Sequence, residues 1–195
     1  MISRKGVAVE NQRVRLSKAL LKEALVRLLE TKPLDKITIY ELCAEAQINR
    51  TTFYKYYGSQ GDVLKDIENE LFAMLETHLV ESVKGDEESL ASVLRCLDME
   101  QRKFLVLVNA TPDQQFSERL FNLAPVHSYL DASVFGDCGN DEREYIRLFL
   151  CQGGYAIVRA WLNRTPHEPP QDIARLLIGL YARFVREDLR PSCAR

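Results

Sequence analysis

Residues 49–57 read NRTTFYKYY and hold two cations, three tyrosines and two threonines, with no acid among them. The guanidinium of Arg50 can take a guanine edge through two parallel hydrogen bonds. The hydroxyls and methyls of Thr51 and Thr52 suit base edges and thymine methyls. Tyr54, Lys55 and Tyr56 are long enough to reach phosphates on either wall of a groove. Together these side chains have the chemistry of nucleic-acid recognition, although Thr52 and Tyr56 are equally at home on a solvated helix. Bond-breaking chemistry is not suggested anywhere. There is no nucleophile elbow, no phosphate loop and no paired acid beside a histidine, so no catalytic residue and no enzyme activity is expected.

Such a segment needs a frame to hold it. Asn49 can cap a short helix predicted over about 50–56. Ahead of it, Thr38 and Glu41 have the spacing of a capping box, in which each side chain bonds the other's amide, opening a helix over about 39–46. The Thr38 end also offers amides and a helix dipole to a phosphate. Two short helices three residues apart form a helix-turn-helix, with the second helix entering the major groove. Leu42, Cys43, Ile48, Phe53 and Tyr57 supply a small core between them.

The rest of the chain also reads as helix. Leu16, Leu20, Ala24 and Leu28 repeat every four residues within a helix over about 11–31, which Pro33 ends. Ser59 and Asp62 form a further cap for a long helix reaching about residue 84. Helices follow at about 87–99, 100–109 and 113–130, then a loop over 131–140, then helices at about 141–163 and 171–187 joined by a proline-rich turn. The expected fold class is all-α, with an N-terminal three-helix domain over 1–60, a linking helix over 61–84, and a helical domain over 61–195.

Composition agrees with a globular protein: 46% apolar, 28% charged, net charge −2. The charge is uneven. Residues 1–60 carry 11 Lys/Arg and 6 Asp/Glu, and residues 61–195 carry 15 and 22. A basic head on an acidic body suits a polyanionic partner. The first thirty residues have no apolar leader core, and no charge-free run is long enough to span a bilayer, so a cytoplasmic protein without membrane contact is expected. Cysteines 43, 96, 138, 151 and 193 are odd in number and lack C-x-x-C spacing, and the three histidines are far apart. Neither a disulfide framework nor a metal or cofactor site is expected.

The stretch ITIYELCAEAQINRTTFYKYYGSQGDVL, residues 37–64, resembles the DNA-binding signature of TetR-family transcriptional regulators. Thr38, Leu42, Ala46, Ile48, Thr52, Tyr54, Tyr57, Ser59 and Leu64 carry the match, and the likeness extends over about residues 11–70. Gln47 stands where the signature has a turn glycine, Asn49 where it has Ser or Thr, and Gln60 where a phosphate-touching Lys is common. Residues 153–180, GGYAIVRAWLNRTPHEPPQDIARLLIGL, resemble a subset that includes dihydroxyacetone-kinase operon regulators, through Trp161 and Pro169/Pro170. The resemblance implies a bacterial repressor whose helical domain binds an effector and dimerises. The effector is a small molecule or a protein. Activation, or co-regulation through a protein partner, is the alternative.

One two-turn reader covers too few bases for specificity, so a homodimer on a palindromic double-stranded operator is expected. The expected interface is a four-helix bundle of the last two long helices, with Phe149, Gly153, Ile157, Trp161, Ile173, Leu177, Leu180, Tyr181 and Phe184 as candidates. Any of these could instead face the protomer's own core. Effector-contacting residues are not legible; Phe104, His127, Tyr129 and Tyr145 are conceivable. The DNA-contact set is Thr38, Asn49, Arg50, Thr51, Thr52, Tyr54, Lys55 and Tyr56.

Overall fold

A computed structural model describes residues 12–81, 87–110, 113–122 and 140–185. Among these residues there are helices and no strand, as the periodicities require. The helices are α1 (Gln12–Leu29), α2 (Ile39–Glu45), α3 (Arg50–Tyr54), α4 (Gln60–Glu81), α5 (Glu87–Met99), α6 (Gln101–Ala110), α7 (Asp113–Phe121), α8 (Asn140–Leu162) and α9 (Pro170–Val185). A single 3-10 turn, Leu34–Lys36, lies between α1 and α2. The chain divides into two compact units between Asn69 and Glu70, and α4 runs unbroken through the division. No helix among the described residues is long and apolar enough to cross a membrane.

In the first unit, Leu21, Ala24 and Leu25 of α1, Leu42 and Cys43 of α2, Phe53 of α3, and Val63, Leu64 and Ile67 of α4 are all buried. The expected stripe of α1 is corrected in its first half. Leu16 and Leu20 are 61% and 42% exposed, and burial begins at Leu21. Four-residue periodicity fixes which face of a helix is apolar, but not how far along that face its neighbours extend.

The second unit is built around aromatic rings from four helices. Phe116 of α7 meets Phe72 of α4 at 5.1 Å, Phe104 of α6 edge-on at 5.5 Å, and Tyr155 of α8 at 6.2 Å. Helix α9 lies along α5, with Ile173, Ala174 and Leu177 buried on one side and Ala91, Leu94 and Leu97 on the other. At the end of α8, the Trp161 indole donates to the Glu168 carbonyl across 2.7 Å, and the ring of His167 stands edge-on at 4.9 Å. Gln101 Nε2 donates to the Leu162 carbonyl, which is the last carbonyl of α8, at 2.6 Å. His167 Nε2 lies 3.0 Å from Asp98 Oδ1.

Candidate nucleic-acid interface

Three caps in succession set the local geometry. At α2, Glu41 N donates to Thr38 Oγ1 (3.2 Å), and Thr38 N donates to Glu41 Oε2 (2.9 Å). Lys32 Nζ donates to the other carboxylate oxygen at 2.6 Å. The Lys32 ammonium, joined by the Thr38 amide, holds the Glu41 carboxyl down at about 2 instead of 4.5. At α3, Thr52 N donates to Asn49 Oδ1 at 2.7 Å. At α4, the Gly58 and Ser59 amides both donate to Asp62 Oδ2 at 2.9 Å, and Asp62 N donates to Ser59 Oγ at 3.2 Å. Each cap satisfies amides that a helix start would otherwise leave unpaired.

Between α2 and α3, the Gln47 amide bonds the Ala44 carbonyl (3.2 Å) and the Ile48 amide bonds the Cys43 carbonyl (2.9 Å). That pair of bonds is a Schellman ending. It forces the residue at position 47 into a left-handed conformation, and Gln47 has φ 55°.

Phe53 anchors α3, fully buried, with the Tyr57 ring centroid 6.0 Å from its own. The side chains around Phe53 turn outward: Arg50, Thr51 and Lys55 are exposed and Tyr54 is 52% exposed, while Thr52 and Tyr56 are half-buried. The Arg50 guanidinium carbon lies 6.0 Å from the centre of the Tyr54 ring. The Tyr54 side chain beside it holds the Arg50 guanidinium above its ordinary value. Helix α3 stops at Tyr54, two residues short of expectation, because the amides of Tyr56 and Tyr57 both close on the Phe53 carbonyl, at 2.9 and 3.0 Å.

Two of the sequence-predicted contacts carry a structural duty as well. The Thr38 hydroxyl accepts from Glu41 N and donates to Glu41 Oε2 at 2.9 Å, and a carboxylate occupies that helix start. Asn49 has its carbonyl oxygen committed to the cap.

Of the expected interface residues, Trp161, Ile173 and Leu177 are buried within their own unit, at 2%, 7% and 3% exposure. Tyr181 is half-buried, and its hydroxyl donates to the Leu150 carbonyl at 3.3 Å. A Cβ added to Gly154 would strike the Tyr181 hydroxyl, so Gly154 is what lets α8 and α9 approach. A Cβ at Gly153 would meet nothing within 4 Å. Phe149 is 61% exposed, and Ile157 and Leu180 are half-buried. The Phe184 side chain lies outside the described residues. Tyr145 and Leu148 on α8 and Leu176 and Gly179 on α9, unremarked in sequence as interface candidates, are also exposed. Of the conceivable effector contacts, Phe104 is sealed in the aromatic core and Tyr145 is 73% exposed, while His127 and Tyr129 lie outside the described residues. An open groove of about 520 Å3 runs along α8, lined by Gln152, Tyr155, Ala156, Arg159, Ala160 and Asn163.

No family model matches the chain. A curated relative, the HTH-type transcriptional regulator YxbF of Bacillus subtilis (strain 168), is 23% identical over 174 residues; the match takes in 82% of the chain but only 43% of the relative's length. Among solved structures, a TetR transcriptional regulator from Streptococcus agalactiae 2603V is similar with TM-score 0.66 and 19% identity, over 93% of this chain and all of that one. The dihydroxyacetone kinase operon activator DhaS is similar at 0.54 and 18%, over 87% of this chain and 96% of its own. The Thermus thermophilus repressor FadR, solved with lauroyl-CoA, is similar at 0.54 and 20%, over 91% and 98%. Each of these proteins is a transcriptional regulator, repressor or operon activator. The fold is that of TetR-type regulators.

Proposed function

We propose that this chain, with its TetR-type fold, is a transcriptional regulator that binds a palindromic operator as a homodimer, represses from it, and is released by an effector. The observation that carries the reading is the outward face of α3. Arg50, Thr51, Tyr54 and Lys55 are exposed on a helix anchored by Phe53 and capped by Asn49, with no acid between 46 and 61. A rigid, cationic, hydrogen-bonding rod of this size fits the major groove.

Homodimerisation is supported by the apolar surface of α8 and α9, where Tyr145, Phe149 and Gly153 follow at four-residue intervals. Uncharged ridges of this kind suit helix-on-helix packing between copies. The expected contacts are Phe149, Gly153, Ile157, Leu180 and Tyr181. Trp161, Ile173 and Leu177 serve the protomer core. The unbroken α4 belongs to both units and is the candidate lever for effector release. A coupling of about 1–3 kcal/mol would change operator affinity 5- to 150-fold.

The test is selection of bound duplexes from a random pool, followed by titration of the winner at several salt concentrations. A dimer neutralising about 6–10 phosphates gives a log–log slope of roughly −5 to −9. A slope near −1, or no selected sequence, would defeat the reading.

A further inference from the structure

Among the described residues, Gln47 is the non-glycine residue with positive φ. The Schellman bonds at Ala44 and Cys43 impose that conformation, and glycine is its usual occupant because a Cβ there crowds the following carbonyl. Ile48, which follows Gln47, is half-buried, and Leu42 and Cys43 of α2 are buried. The turn is therefore specified without any help from the Gln47 side chain. That side chain is exposed and makes no hydrogen bond to the described residues. Strain that the fold does not require, kept at an exposed position two residues ahead of the Asn49 cap, points to a use for the side chain itself.

We propose that the Gln47 carboxamide is a nucleic-acid contact of this chain, donating an N–H to a phosphate oxygen at the edge of the groove that α3 enters. The inference rests on the DNA-binding reading above. Gln47 lies outside α3, ahead of the residues whose types suit base edges, and neutral donors in that position fix register on the backbone without reading sequence. The contact carries no charge, which separates it from Lys55. Losing it removes affinity but releases no fewer counterions.

The experiment compares wild type with Gln47→Gly and Gln47→Glu in two measurements: thermal unfolding of the full chain, and binding to the duplex selected from a random pool. Gln47→Gly is expected to unfold at a higher temperature and yet bind about tenfold more weakly. The loss should be equal on matched and single-mismatch duplexes, and the salt slope should not change. Gln47→Glu is expected to lose more, by repulsion from the phosphate. Opposite signs in stability and affinity are something a purely structural residue cannot give. Gln47→Gly binding as tightly as wild type would overturn the proposal, as would a loss confined to one base position or a fall in stability. A wild-type protein that selects no duplex defeats the underlying reading first, before any variant is made.

Discussion

The Tyr57 hydroxyl donates to Asp66 Oδ2 across 2.6 Å, and Lys22 Nζ reaches the same oxygen at 3.1 Å. The segment after α3, the second turn of α4 and the middle of α1 thus converge on one carboxylate. Desolvation alone would raise the Asp66 carboxyl, but the Tyr57 hydroxyl and Lys22 outweigh it and hold the group below its ordinary value. A depressed carboxyl stabilises the fold above its ordinary value of 3.8, and that contribution fades as pH falls below it. Tyr57→Phe should therefore cost about 1 kcal/mol at neutral pH, less than a fully buried charged bond because water reaches Asp66. Urea midpoints for mutant and wild type should draw together in acid. A gap that widens in acid would contradict the assignment.

Glu41 makes a second, separable acid response. Its carboxyl is held at about 2 from an ordinary 4.5, first by Lys32 and then by the Thr38 amide. The sign is the same as for Asp66: the stabilisation is complete above 4.5 and lost as pH falls through about 2. Glu41→Gln should be less stable than wild type at neutral pH. The difference should shrink across that window. A pH-independent difference would assign the effect to shape instead of charge.

Arg50 and Lys55 should fail differently. Arg50→Ala should relax preference at one base position per half-site, a loss of about 1–3 kcal/mol on the matched sequence. Lys55→Ala should weaken binding on every duplex and reduce the salt slope by about 1 per lost contact. Selection from a random pool with each variant decides between them. Identical shifts in base preference for both would refute the division of roles.

Adjacent glycines on α8 give the sharpest contrast. Gly154 sits beneath the Tyr181 hydroxyl, while Gly153 faces open space. Alanine in a helix gains about 1 kcal/mol over glycine. Gly153→Ala should raise protomer stability by about that amount and loosen the dimer, measured by sedimentation at falling concentration. Gly154→Ala must displace Tyr181 from its bond to Leu150, so overpacking of about 1–3 kcal/mol should offset or exceed the gain. A Gly153→Ala dimer as tight as wild type would remove Gly153 from the interface.

What could be read in the sequence was local. The caps at Thr38, Asn49 and Ser59 each close within three residues, so residue types alone disclosed them. The turn between α2 and α3 followed, but it spans residues 46–49, one more than expected, because α2 ends at Glu45. At Gln47 the signature's turn glycine left two outcomes open, left-handed strain or a different turn geometry, and the φ of 55° is the first of them. Packing partners were not legible. Trp161, Ile173 and Leu177 lie on apolar faces that look the same whether a partner copy or the protomer's own unit covers them. Leu16 and Leu20 continue a stripe whose covering ends at Leu21. The bond from Gln101 to the Leu162 carbonyl joins residues 61 positions apart, beyond the reach of any spacing rule.

The chain has one tryptophan, and it is Trp161, sealed in the second unit with its indole bonded to the Glu168 carbonyl. Its ultraviolet emission is therefore a built-in gauge of that unit alone. Melting of α1 to α3 is silent in this optical channel and would have to be followed by tyrosine signal or circular dichroism. Divergence of the two melting traces would show whether the halves of the molecule lose their structure together or one at a time.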